Sequence, residues 1–318
     1  MTWQKWPAPE WRALVREHER SVDALTAGFL QRRSRGVAHP VEDFLFVYYR
    51  HSPARLRRWH PGPGVLLLHP EAPPGPSVSR AGERAGWPYY LTTEGGVGLD
   101  LECYLARRGT TVRFVRDLLA ATSARSPYLG CWGLHEWAMV YRADPDQLRH
   151  AGWPLRLGPA GTDRVVEAHQ IRCSHADAYR FFTAAAAPRN LLHPSRATQL
   201  HDEQPGCLHA TMDLYKWAHK LAPGIPSDLT LACFELARDA RELDMRAGPY
   251  DLTDLGYPPT TVETADGKAE YAQRQRELAS RGDRLRRRLT DACETILAGR
   301  RSPPGKRHTQ TLKPHLPC

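Results

Sequence analysis

Apolar residues recur at helical spacing along several long stretches of the chain. Over residues 10–33, Trp11, Leu14, Val15, Val22 and Leu25 fall among charges at intervals that predict a helix. A second helix is expected over 41–59, started by His39-Pro40, and a third over 99–123. Residues 175–187 read as a helix stopped by Pro188, and 208–222 as one ended by Pro223-Gly224. Ser227 is placed to cap a long helix that reaches about Ala247 and stops at Gly248-Pro249. Residues 268–297 form a last, highly charged helix.

Strand signals are shorter. Residues 61–98 are punctuated by Pro and Gly, leaving loop with two short strands around Val65–Leu68 and Tyr89-Tyr90. Alternation over 132–142 predicts a strand, 165–173 a second, and 262–263 a short third. The expected class is α+β, mainly helical with a small sheet and a single main domain. Residues 1–60 read as a basic helical N-terminal segment, 61–298 as a catalytic core, and 299–318 as a basic disordered tail without acids or periodicity.

Composition narrows this picture. At 318 residues the chain can bury a full core. No window approaches the roughly 18 consecutive apolar residues of a membrane span. The start MTWQKWPAPEW lacks an apolar segment after a basic one, so no membrane association and a cytoplasmic location are expected. Seven cysteines without a CxxC read as reduced thiols. The net charge of +9 is unevenly spread: residues 131–270 carry −5, while 1–60 and the last twenty residues each carry +5. Basic flanks around an acidic middle suit an enzyme that holds phosphates outside and stabilises a cation inside.

Reactive side chains concentrate in four blocks: GCWGLHEWAMVYR from Gly130, RCSHADAYRFF from Arg172, EQPGCLHATMDLYKWAHK from Glu203 and LDMRAGPYDL from Leu243. In the third block His209, Asp213, Lys216 and Lys220 share one helix face, opposite Leu214, Trp217, Ala218 and Leu221. In the first, a strand would send His135 and Glu136 to opposite faces, so that they could not serve one site. Glu136 would then be half-buried and paired, with Arg142 as one option, or an acid of raised pKa. Cys173, His175, Cys207 and His209 have zinc-ligand chemistry, but one intervening residue in each pair is not structural-zinc spacing. Asp244, Arg246 and Asp251 lie at a helix end and turn, where such groups serve a site or fix loop geometry.

The blocks HPVEDFLF, GLHEWAMVYR, RCSHADAYRFF, EQPGCLHATMDLYK, LDMRAGPYDL and ETADGKAEY, in this order, resemble an actinobacterial family labelled 3-methyladenine DNA glycosylase. The resemblance spans most of residues 39–298 and implies base excision with DNA as partner. No helix-hairpin-helix and no GQDPY-type loop accompanies it. Breaking an N-glycosidic bond develops a cationic sugar that a carboxylate stabilises while a carboxylate or imidazole orients water. Asp213, Glu136 and His209 are the candidates for this catalysis. Substrate contacts are expected from His135, Tyr141, Arg142, His175, Phe181, Phe182, Asn190, Gln204, Lys216, Arg246, Tyr250 and Asp251, which supply stacking, edge recognition and phosphate binding.

The substrate would be an alkylated purine or a bulky modified base such as a glucosylated hydroxymethylcytosine of phage DNA, the latter in an antiviral role. No cofactor, no metal ligand set and no obligate protein partner are expected. Lys216 as an amine nucleophile ranks second, because neighbouring carboxylates would keep it protonated. The rival enzyme class is a metal-dependent hydrolase or oxygenase using His135, His175, His209 and Asp213. A DNA-binding regulator is disfavoured, since no helix-turn-helix or zinc finger is readable.

Overall fold

Long amphipathic segments account for most of the architecture. A computed structural model describes residues 3–69, 84, 86–144, 150 and 152–299. Helix α1 (Ala8–Ser34) follows strand β1 (Gln4–Trp6), and α4 (Leu101–Ser123) begins where the Asp100 carboxylate accepts from the Cys103 amide. Helices α9 (Leu208–Lys220), α10 (Ser227–Arg246) and α11 (Ala265–Ala298) complete the main core. The most extensive pairings are α9 with α10, α4 with α11, and α10 with α11. Helix α9 lies at the centre, with even His209 and Asp213 buried.

Expectation and structure part in several places. The helix expected over 41–59 is broken into α2 (Phe44–Tyr48) and α3 (Pro53–Leu56). Arg50 takes a left-handed φ of 54°, and Ser52, ahead of Pro53, restarts the chain as a cap. Ser227 is the first residue of its helix rather than the cap, and its hydroxyl instead accepts from the His60 amide at 2.8 Å. Residues 132–142 are not a strand: they hold the short helix α5 (Leu134–Ala138), entered through Gly133 at a left-handed φ of 67°. Of the second expected strand only residues 165–167 lie in α6 (Gly158–Glu167), the rest being turn and irregular chain with a lone bridge between Ile171 and Asn190, and residues 262–263 form a turn. The helix expected over 175–187 is only α7 (Ala176–Tyr179), with turns and a 3-10 segment beyond it. A further short helix, α8 (Gln199–Asp202), precedes α9.

The small sheet has the order β1-β2-β4-β3. Strand β2 (Val65–Leu68) runs parallel to β1 and antiparallel to β4 (Gly96–Leu99), which forms a hairpin with β3 (Tyr90–Thr93). Trp11 and Val15 of α1 pack with Trp59, Leu67 and Val97 on this sheet. The chain is therefore mainly helical α+β with a small sheet in one compact arrangement. Among the described residues no helix is long and apolar enough to cross a membrane. Beyond Gly299, the expected tail over 299–318 lies outside the described residues.

Candidate active site

Two layers of charge meet at α9. The inner layer joins α5 to α10. Because α5 is a helix, its neighbours His135 and Glu136 diverge by about 100° rather than 180°, and both reach α10. Arg241 donates from Nη1 to Glu136 Oε1 at 2.9 Å and to Asp244 Oδ2 at 3.1 Å. His135 Nε2 lies 2.7 Å from the other oxygen, Asp244 Oδ1. The guanidinium also sits over the Phe44 ring at 3.9 Å. Burial pushes Glu136 up, but Arg241 outweighs it and lowers the carboxyl to about 2. Burial likewise opposes charge on His135, yet the adjacent Asp244 raises its pKa above the ordinary histidine value. Glu136 is thus an ionised structural partner of Arg241, and Arg142 pairs elsewhere.

Helix α9 carries the second layer. His209 stands between His135, whose ring is edge-on at 4.5 Å, and His175, stacked at 5.2 Å. One turn on, Asp213 accepts from the Tyr49 hydroxyl at 2.8 Å and from Lys216 Nζ at 2.6 Å, with His175 Nε2 at 3.3 Å. Glu203 Oε1 lies 3.5 Å from the same histidine nitrogen. Burial raises Asp213, but Lys216 and His175 prevail and hold it well below the usual carboxylate range. Burial, aided by Asp213, pushes Glu203 up. Lys216 also donates to Asp177 at 3.1 Å, and against the cost of burial these two carboxylates raise its pKa.

Above this layer opens a cleft of about 470 Å³. Six cations line it: Arg55, Arg108, Arg180, Arg196, Lys216 and Lys220. Asp177 is the carboxylate on its wall, while Asp213 sits one layer beneath. His51 and His219 also line it, their rings stacked at 3.7 Å. Burial, then the neighbouring His219 and Arg55, lowers His51 to about 3; burial and Arg55 lower His219 to about 4. Both are neutral at pH 7, and the enclosed His51 Nδ1 and His219 Nε2 have no hydrogen-bond partner among the described residues. Arg180 and Tyr48 form the border with a second cavity of about 510 Å³, walled by Phe44, Phe181 and Trp153. On the opposite side, a third of about 250 Å³ shares Arg55, Arg108 and His219 and adds Arg58, Trp87 and Tyr89.

Compared with family models, curated proteins and solved structures, the chain matches none.

The remaining sequence-nominated residues divide by position. Phe181 lines the aromatic cavity, while Phe182 packs against the main core. The Tyr141 hydroxyl and Arg142 both donate to Glu167, at 2.9 and 2.8 Å, away from the cleft. Asn190 clasps the Cys173 backbone, accepting at 2.7 Å and donating at 2.9 Å. Gln204 Oε1 accepts from the Tyr128 and Gly206 amides at 2.9 and 2.7 Å and so shapes the turn before α9. Arg246 donates to the Pro258 carbonyl, Tyr250 is buried in a satellite cluster with Val41 and Leu252, and Asp251 accepts from the Thr253 amide. Cys173 and Cys207 are buried free thiols, and burial pushes Cys173 up to about 12. Sequence reasoning did not nominate Asp177, His51, His219 or Arg241. Asp177 had a usable signal, two positions after His175 in the same block; Arg241 had none, being one charge among many on α10.

Proposed function

We propose that the chain is a DNA N-glycosylase that flips a modified base and hydrolyses its glycosidic bond. The observation that carries this reading is one cleft in which five cations share the wall with Asp177 and Lys216, and Lys216 is held in turn by Asp213 beneath. Phosphates on either side of a flipped nucleotide call for the cations. The cationic sugar of the transition state calls for fixed negative charge, which Asp177 places on the cleft wall between Lys216 and Arg180, the latter with Nε 3.7 Å from Asp177 Oδ1. Asp177 faces the cleft and acts directly, while Asp213 positions Lys216 and supplies charge from below. A neutral imidazole lining the cleft, His51 or His219, takes a proton from the attacking water. The aromatic cavity beyond Arg180 offers Tyr48, Phe44 and Phe181 for stacking. Its volume lies within the range of drug-sized ligand sites and accommodates an alkylated purine or a more heavily substituted base.

Lys216 is less suited to Schiff-base chemistry, because its two carboxylate partners stabilise the ammonium form. For the metal-enzyme alternative, two buried His–carboxylate groups supply donors, but none of their six residues lines the three cavities described. The test is base release from duplex and single-stranded DNAs carrying methylated, deaminated or glucosylated bases, followed by mass spectrometry and alkaline cleavage. Asp177→Asn is expected to lower the rate by roughly 10²–10³-fold, the loss typical of one electrostatic stabiliser. Arg180→Ala is expected to weaken DNA binding and reduce the salt slope of log K by about 1. Intact DNA throughout the panel, or an unaffected rate in Asp177→Asn, would sink this mechanism.

A further inference from the structure

His135, Asp244 and His209 come from three different helices, α5, α10 and α9, and their donor atoms all lie within 4.8 Å of one another. All three are more than nine-tenths buried. His209 is the telling member: its Nδ1 is fully enclosed and has no hydrogen-bond partner among the described residues. A buried imidazole left this way forfeits stabilisation that a partner would supply. Its ring contacts are His135 and His175, and burial and His135 hold it neutral, the form in which imidazole ligates metals.

Asp244 is arranged as an oriented ligand. Arg241 takes Oδ2, and Arg241 is itself anchored to Glu136, so Oδ1 is directed towards the two histidines. Metal–ligand bonds of about 2.0–2.2 Å place tetrahedral ligand atoms roughly 3.3 Å apart. The 2.7 Å contact between His135 and Asp244 would need to open by about 0.6 Å, and His209 would need to close by no more than about 1.5 Å.

The neighbouring group His175, Glu203 and Asp213 fits an ion less well despite its similar donors. Lys216 Nζ lies 2.6 Å from Asp213 Oδ2, the same oxygen that faces His175. The ammonium already occupies the cation's place.

We propose that His135, His209 and Asp244 bind one divalent transition-metal ion of the zinc or ferrous-iron class, fastening α5 and α10 to α9. Two imidazoles and one carboxylate suit these ions better than magnesium or calcium, which prefer oxygen ligands. On binding, the proton shared between His135 and Asp244 passes to solvent, and both become ligands. His209 would then act as a ligand rather than a base. Because its ring stacks on His175 beneath Asp213, the ion would also steady the floor of the cleft. This assignment stands independently of the glycosylase reading.

The experiment is elemental analysis of full-length protein purified without chelator, followed by titration of the stripped protein with Zn²⁺ and, anaerobically, with Fe²⁺. Expected are about one equivalent of bound ion and a thermal midpoint that rises with metal. His209→Gln breaks no hydrogen bond at Nδ1, so it should keep the fold by circular dichroism while its metal affinity falls more than tenfold. Asp213→Asn should still bind one equivalent. Absence of stoichiometric metal together with no midpoint shift in the wild type overturns the proposal. Binding lost in Asp213→Asn but retained in His209→Gln overturns it too, by placing the ion in the other group.

Discussion

The layer between α5 and α10 and the cleft above α9 are both crowded with charge, but they are organised in opposite ways. In the inner layer Glu136, Arg241, Asp244 and His135 pair with one another, and water is excluded. At the cleft six cations share a wall with Asp177, and four of them, Arg55, Arg180, Arg196 and Lys220, are exposed. Charges matched inside a protein specify packing, since an unmatched one there would be costly. A surplus of one sign at the surface is tolerated by water and is available to a ligand of the other sign. The contrast separates architecture from recognition although both regions use the same residue types.

The largest expected effect strikes the inner layer. Arg241→Ala strands Glu136 as a buried, unpaired carboxylate, leaves Asp244 with His135 alone, and should lower unfolding free energy by about 3–5 kcal/mol in urea titrations. The same truncation at Arg180, on the cleft, should cost far less stability. Equal losses at the two positions would erase the distinction between the regions.

A moderate effect concerns acid. His51 and His219 have folded pKa values of about 3 and 4, below the ordinary 6.5. Their contribution to stability is therefore complete above about pH 6.5 and lost as pH falls through 4 and 3. Glu136, lowered to about 2, follows the same direction at more acid pH: its contribution is complete above its ordinary 4.5 and is lost as pH falls through 2. The raised His135 and His175 act oppositely, stabilising most below pH 6.5 and losing that as pH rises through their folded values. Thermal midpoints of the His51→Gln/His219→Gln double variant should fall less steeply from pH 6.5 to 4 than those of the wild type. Parallel curves would show that the two rings do not sense acid.

The smallest effect belongs to Arg142 and Glu167. Their side chains are 60% and 39% exposed, so Arg142→Ala should leave the urea midpoint essentially unchanged. A midpoint shift as large as that of Arg241→Ala would mean that surface pairs here carry weight comparable to the inner layer.

How far the chain was legible depended on element length. Helices α1, α4, α9, α10 and α11 declare themselves through many turns of apolar spacing and through stop signals such as Gly248-Pro249. Helix α5 did not, because five residues are too few to distinguish a helical period from alternation. His135, Trp137, Met139 and Tyr141 satisfy a strand pattern as well. The polar stripe of α9 was found correctly as a spacing, but a stripe does not say what covers it. His209 and Asp213 proved to be buried under the rings of His135, His175 and Tyr49.

By itself, then, the sequence determined the long helices, the small sheet's central run at Val65–Leu68, and the three-residue spacing that lets Lys216 reach Asp213 within one helix. These are local consequences of side-chain order and backbone geometry. Only the tertiary structure decided that Arg241 answers Glu136 across 105 positions, that Tyr49 reaches Asp213 across 164, and that Asp177 rather than Asp213 lines the cleft. Which charges are buried together is set by how the helices pack, and that depends on contacts between residues far apart in the chain, which local periodicity does not encode.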